Sequence, residues 1–344
     1  MKLCPKCQKQ FSDDANFCPV DAARLVPLET QAQAQATDAL AARFELGEAL
    51  GGHRTGAVHR ATDKTTGQAV AVKIIAPAVV ALPGLAQRLE RELKQLERVQ
   101  SGGVARVFAS GKRGDDSWVA MELFDDPQTL AEAVDAHGAM PSDKAARLIT
   151  VIGEALIEAA QVGVVHRDLA PKNIAFSGDD LKIINFSLPV PGDKVPGVPE
   201  FVAPEQHEGK PVDQRSNLYS LGAMYYFVLT AQPVQTDDAG AIQPPSLLAE
   251  VPEPVEALIL RALDRSPTKR FLTVRQFIDE VGRVARGESS LRTTQPLGRA
   301  GKAKAEVVDT QPGAPPAAGT IIGVGLPGPA PAPAPAQGAP STDA

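Results

Sequence analysis

The hydrophobic period of this chain changes once, near residue 126, and that change limits the folds open to it. Upstream, residues 44–125 carry short β-type runs, Ala69–Ile75 and Trp118–Leu123, around one charged helix predicted from Leu85 to Gln100. Downstream, residues 128–285 repeat apolar positions at three- and four-residue spacing, as in Ala145–Ala160 and Val255–Leu263, the mark of helices with one buried face. Two periods segregated in this way predict an α+β structure, a small β-rich lobe followed by a larger helical one.

The flanks differ in composition. Residues 1–28 hold all three cysteines, and residues 29–41 have no apolar stripe and read as a linker. The structured stretch is expected over 42–286, with the small lobe at 42–125 and the large lobe at 126–286. Residues 287–344 are rich in Pro, Ala and Gly and cannot bury enough apolar surface to offset their ordering entropy, so disorder is expected there. No internal repeat is evident. With 35 Lys+Arg against 41 Asp+Glu the net charge is −6, which offers no electrostatic footprint for nucleic acid or an anionic membrane. No run of about 18 apolar residues occurs, and the first residues lack a signal-peptide core, so no membrane span and a cytoplasmic location are expected. Three closely spaced cysteines suit a metal site better than a disulfide framework.

Three motifs carry the chemistry. Leu50-Gly-Gly-His-Arg-Thr-Gly-Ala-Val58 is a Gly-rich turn that lets backbone N–H groups approach phosphates, although a plain hairpin loop shares its composition. Lys73 follows the apolar run Ala69–Val72, and Glu92 on the following helix offers it an anionic partner. His166-Arg-Asp-Leu-Ala-Pro-Lys-Asn173 places Asp168 five residues before Asn173, after the apolar run Val162–Val165. In this order and spacing the motifs resemble the protein kinase superfamily, most closely bacterial serine/threonine kinases of the eukaryotic type. Phe201-Val-Ala-Pro-Glu205, Arg215–Gly222 and Arg270 extend the resemblance over residues 42–285.

The resemblance implies a two-lobed kinase fold and a role for each matched residue. Gly51, Gly56 and Val58 would cover the nucleotide; Lys73 would contact the α- and β-phosphates and pair with Glu92. Met121 would be the gatekeeper, with the backbone from Glu122 to Phe124 along the adenine edge. Asp168 would accept the substrate hydroxyl proton, Lys172 would steady the γ-phosphate, and Asn173 would ligate a second magnesium. Glu205 would tie to Arg270, and His166, Phe186 and Leu96 would stack between the lobes.

The family's Asp-Phe-Gly reads Asn185-Phe186-Ser187 here. Asn185 offers a neutral oxygen where hard Mg²⁺ favours a carboxylate. His53 replaces a glycine of the phosphate loop, Val198 replaces an aligning threonine, Asn217 replaces the aspartate that anchors the catalytic loop, and the segment from Phe186 to Pro204 has a single hydroxyl residue, Ser187. These departures predict a pseudokinase that binds ATP, with magnesium binding impaired, and that acts in signalling through protein partners. An active ATP-dependent serine/threonine kinase with Asp168 as base is the alternative, and a bare interaction scaffold a third.

At the N-terminus, Cys4-Pro-Lys-Cys7 and Cys18-Pro-Val-Asp21 resemble a short zinc ribbon, which implies Zn²⁺ held by Cys4, Cys7, Cys18 and Asp21. Tail threonines 294, 310 and 320 read as spacer residues or as phosphorylation sites.

Overall fold

The computed structural model describes residues 2–288 except 5, 7–8, 13–14, 21, 28–38, 54–55, 78–80, 82–84, 114–115, 126, 178–179 and 187–198. All but the first two residues of the expected tail, most of the linker, Cys7, Asp21, Ser187 and Val198 lie outside the described residues.

Residues 2–27 form a three-stranded antiparallel sheet with strand order β2–β1–β3, from β1 (Lys2–Leu3), β2 (Gln10–Phe11) and β3 (Val26–Pro27). Cys4 and Cys18 are buried there with Leu25.

The small lobe is a five-stranded antiparallel sheet: β4 (Phe44–His53), β5 (Gly56–Asp63), β6 (Ala69–Ile75), β7 (Val107–Arg113) and β8 (Asp116–Met121), in order β4–β5–β6–β8–β7. One face buries Phe44 against Trp118 edge-on, with ring centroids 5.6 Å apart. Leu40, read from sequence as linker, belongs to that cluster at 2% exposure and sits in a helical stretch at residues 39–43. An apolar side chain next to an open sheet face is drawn onto it, so ordered structure starts before residue 42.

The opposite face carries helix α1 (Leu85–Leu96), whose buried stripe is Leu85, Leu89, Glu92, Leu93 and Leu96. The helix stops four residues short of the expected Gln100. Val99 is buried, and its N–H bonds back to Leu96 O at 3.0 Å in a tighter turn ahead of Gly102-Gly103.

The large lobe is built from α2 (Leu130–His137), α3 (Ser142–Gln161), α4 (Pro204–His207), α5 (Gln214–Thr230), α6 (Glu253–Ala262) and α7 (Val274–Ala285). Strands β9 (Gln128–Thr129), β10 (Ile174–Ser177) and β11 (Asp180–Ile183) form a small sheet beside them. Side chains cap three of the helix starts: Thr129 and Glu132 form a reciprocal capping box on α2, Asp213 accepts from Arg215 N–H at α5, and Thr273 accepts from Gln276 N–H at α7. Helix α5 is buried almost all round and forms the centre of the lobe. The lobes are joined by backbone as well as by the chain: Val104 bridges Ile183 in parallel, Ala105 N–H donates to Ile183 O at 3.0 Å, and Ile183 N–H donates to Gly103 O at 2.8 Å.

Candidate functional site

A cleft of about 570 Å³ runs between the lobes. Of the residues singled out in the sequence, Gly51, Val58, Lys73, Met121, Glu122, Phe124 and Asn185 line it. The strand register explains the spacing: Val58 lies opposite Lys73 across β5–β6, and Lys73 lies opposite Val119 across β6–β8. Gly56 is obligatory for steric reasons. Its φ is +141°, and a Cβ on it would stand 1.8 Å from Ile74 O.

Lys73 is 2% exposed. Burial pulls its ammonium down to about 8; the Asp168 charge opposes the shift and Lys172 adds to it. The expected pairing with Glu92 does not form. Glu92, 4% exposed, takes the Arg167 guanidinium at 2.9 Å and lies 4.0 Å from Arg88 Nε. Arg167 has a left-handed backbone, φ 70°, at the turn after His166. A five-donor planar fork outcompetes a single ammonium for a carboxylate. Among the described residues, Lys73 has no carboxylate within ion-pair distance.

The loop from His166 to Asn173 is held from two sides. His166 is fully buried and its ring is pushed down to about 4 by desolvation. Its neutral Nε2–H donates to Ile184 O at 2.9 Å, and Nδ1 accepts from the Asp168 N–H at 3.3 Å. The ring packs against Phe186 as expected, but tilted by 57° rather than stacked, with centroids 4.5 Å apart; Leu96, Met121 and Phe186 line a small apolar cavity. Asn217 keeps part of the anchoring role: its Oδ1 accepts the His166 N–H at 3.3 Å, and its amide turns to Gln214 Oε1 at 3.1 Å.

Asp168, Lys172, Asn173 and Asn185 converge. Lys172 Nζ lies 3.2 Å from Asp168 Oδ2. Asn173 Nδ2 donates to the Asp168 backbone carbonyl at 2.7 Å and lies 3.2 Å from Asp168 Oδ2. A carbonyl only accepts, so the orientation of the Asn173 amide is determined and its Oδ1 points away from Asp168. Asn185 Nδ2 donates to that Oδ1 at 2.9 Å. Asn185 has φ 61°, a left-handed backbone that asparagine tolerates better than most residues. An aspartate in this place could not donate to Asn173 Oδ1 when ionised.

The mouth of the cleft carries a contact that the motifs do not reveal. Arg60, two residues after Val58 and on the same face of β5, pairs with Asp125 and lies 3.6 Å from Glu48. Glu122 is fastened to its neighbours: its N–H donates to Arg106 O at 2.8 Å, and its carboxylate takes Lys182 at 3.3 Å. The partners Arg167, Arg60 and Lys182 are visible as charged residues in the sequence, but no local spacing says which carboxylate each one meets. Farther from the cleft, the expected tie forms: Arg270 makes two 2.8 Å bonds to Glu205, whose Oε1 also accepts from Ser216 Oγ at 2.7 Å.

At the N-terminal unit Cys4 and Cys18 are both buried, and no group of three or more His, Cys, Asp or Glu gathers among the described residues. The two remaining candidate ligands, Cys7 and Asp21, are outside them. No helix of the described residues is long and apolar enough to cross a membrane.

Comparison with known proteins agrees with this geometry. Residues 44–280 match the protein kinase domain. Serine/threonine-protein kinase PknB of Mycobacterium tuberculosis is 30% identical over 275 residues, covering 72% of this chain and 44% of that protein. PksC of Streptomyces coelicolor is 29% identical over 272 residues, 71% of this chain and 49% of that protein. The chain thus spans less than half the length of these curated relatives. Among solved structures, the kinase domain of M. tuberculosis PknI aligns with a TM-score of 0.61 at 23% identity, over 70% of this chain and 95% of that one, a likeness of fold. By its matched residues and its two-lobed architecture, the chain belongs to the protein kinase domain family.

Proposed function

We propose that this chain is a nucleotide-binding pseudokinase, acting in signalling through protein partners in the cytoplasm. The observation that carries the reading is the Asn185–Asn173 hydrogen bond. The family's magnesium supplies positive charge on the transferring phosphate and needs oxygen ligands to stay there. Here the Asn173 oxygen already accepts a hydrogen bond, Asn185 brings no charge, and the Asp168 carboxylate is engaged by Lys172 and the Asn173 amide. Lys73, Lys172 and Asp168 together carry a net charge of +1 at the phosphate end of the cleft, which suits a nucleotide polyphosphate bound without metal.

The second reading is an active serine/threonine kinase, and it is favoured by the catalytic loop. Asp168 is held by the His166 ring and the Asn173 amide with its carboxylate beside Lys172. In that case Asp168 would accept the proton of a substrate hydroxyl. The zinc reading of residues 1–28, through Cys4, Cys7, Cys18 and Asp21, is supported by the shared burial of Cys4 and Cys18.

Thermal unfolding of the full chain in buffer, with ATP, and with ATP plus Mg²⁺ separates these readings, since a ligand of the native state raises the midpoint by mass action. The pseudokinase reading expects a rise with ATP that Mg²⁺ does not enlarge. It also expects Asn185→Asp, which removes the donor to Asn173, to make ATP binding at least about tenfold tighter with Mg²⁺ than without. A rise in the wild type that requires Mg²⁺, together with phosphate transfer abolished by Asp168→Asn, would establish the kinase reading instead. No rise under either condition would leave the fold as a scaffold.

A further inference from the structure

The cleft between the lobes changes character along its length. Over one part the lining is Leu50, Val58, Ala71, Met121 and Leu123, an apolar slot that fits a flat aromatic base. Toward its buried end the lining is polar, with Lys73 and Asn185. The sheet register sets the step between the two parts. Ala71 lies opposite Met121 and Lys73 opposite Val119, so Ala71 and Lys73 stand on one face of β6 about 7 Å apart. A base held against Ala71 therefore directs its phosphates to Lys73. Asp168, Lys172 and Asn173 are not among the lining residues; they are reached past Asn185, whose amide closes on Asn173 Oδ1 at 2.9 Å.

Past that point the charges are already matched. Lys172 Nζ lies 3.2 Å from Asp168 Oδ2, and Asn173 Nδ2 lies 3.2 Å from the same oxygen. Of the two lysines, Lys73 alone has no carboxylate within ion-pair distance among the described residues. The Asn185 amide gives one N–H to Asn173 and carries a second. The unpaired cation and the spare neutral donor thus sit at one step of the cleft, and the next step holds a carboxylate.

We infer that the cleft is built for a nucleoside diphosphate and discriminates against the triphosphate, with Asp168 as the residue that turns the third phosphate away. The inference deepens the nucleotide-binding reading above and rests on it. The second phosphate meets the unpaired Lys73 ammonium and the Asn185 amide. A third phosphate adds negative charge and gains no unpaired cation among the described residues. It either lies against the Asp168 carboxylate or takes Lys172 from it, and the second course leaves a partly buried carboxylate uncompensated. A divalent cation offsets this charge in phosphoryl transfer. Here the Asn173 oxygen is already taken by the Asn185 amide, and Asn185 brings no charge of its own, so these side chains do not supply that offset.

The test is calorimetric titration of the full-length wild type and Asp168→Asn with AMP, ADP and ATP at pH 7, without added divalent ions. In the wild type ADP should bind at least about tenfold more tightly than either AMP or ATP. Asp168→Asn removes the repelling charge and releases Lys172, so it should bring ATP to within about threefold of ADP while leaving ADP binding little changed. Wild-type protein that binds none of the three would overturn the nucleotide reading and this inference with it. ATP binding as tight as ADP, or AMP binding as tight as ADP, would overturn the inference alone and leave nucleotide binding standing. A preference for ADP that survives intact in Asp168→Asn would overturn the part given to Asp168.

Discussion

Glu205 and Glu92 are both buried carboxylates that meet arginine, and they are held differently. Glu205 receives two bonds from Arg270 and one from Ser216, and Arg270 also donates to the backbone carbonyls of Asp264 and Arg215. Burial pushes the Glu205 carboxyl upward, but the Arg270 and Ser216 hydrogen bonds outweigh it and hold the group below its ordinary value. Glu92 receives one bond from Arg167. Among the described residues its Oε2 and the Nε atoms of Arg88 and Arg167 are buried without a hydrogen-bond partner. A closed network resists rearrangement because any alternative leaves charges uncompensated, whereas a half-satisfied one has alternatives of similar energy. The first site is scaffold. The second, on the helix packed against the small-lobe sheet, is where that lobe is free to re-pair.

The largest effect that would test this contrast is Arg270→Ala. It should lower unfolding free energy by about 3–5 kcal/mol in urea titration, because it strands a buried carboxylate. A loss below about 1 kcal/mol would erase the distinction between the two sites.

Acid should act next, through His166. Its folded pKa of about 4 lies below the ordinary 6.5, so the unfolded state binds the extra proton between those values. Stability is therefore complete above pH 6.5 and falls as pH drops toward 4, by about 3 kcal/mol from this one ring. In His166→Gln that part of the pH slope should vanish; an unaltered slope would mean that the ring titrates normally.

Lys73 supplies a third test. Its folded value of about 8 lies below the ordinary 10.5, so its burial is unfavourable below pH 8 and is relieved as pH rises through 8 to 10.5. Lys73→Met should stabilise the ligand-free protein at pH 7 by about 1–3 kcal/mol and weaken ATP binding. Destabilisation would indicate that Lys73 has a partner in solution, Glu92 being the obvious one. The smallest change is expected for Arg167→Ala, about 1 kcal/mol, since Arg88 stays 4.0 Å from the carboxylate. A loss equal to that of Arg270→Ala would show the two sites to be built alike.

Much of this protein was legible from local pattern. The run Ala69–Ile75 is strand β6 without change of boundary, because alternating β-branched residues between a Gly-containing turn and a proline leave little choice. Long amphipathic segments such as α3 were found within three residues at the start and one at the end. The Glu205–Arg270 tie forms, and His166 and Phe186 meet, as the family resemblance implied. The helical stretch at residues 39–43, with Leu40 in the small-lobe core, and the end of α1 differ from the sequence expectation, since each depends on what a side chain packs against rather than on its neighbours in sequence.

The sequence by itself determined the two-lobed order, the strand that presents Lys73, and the chemical identity of Asn185. These follow from hydrophobic period, motif spacing and residue type, which are properties of short segments. Tertiary structure alone decided which charge each charged group meets: that Glu92 takes Arg167 and not Lys73, that Arg60 reaches Asp125, and that the Asn185 amide donates to the oxygen of Asn173. Charged and amide side chains are long and have several partners of comparable energy, so pairing is decided by the distances that packing sets between elements remote in sequence.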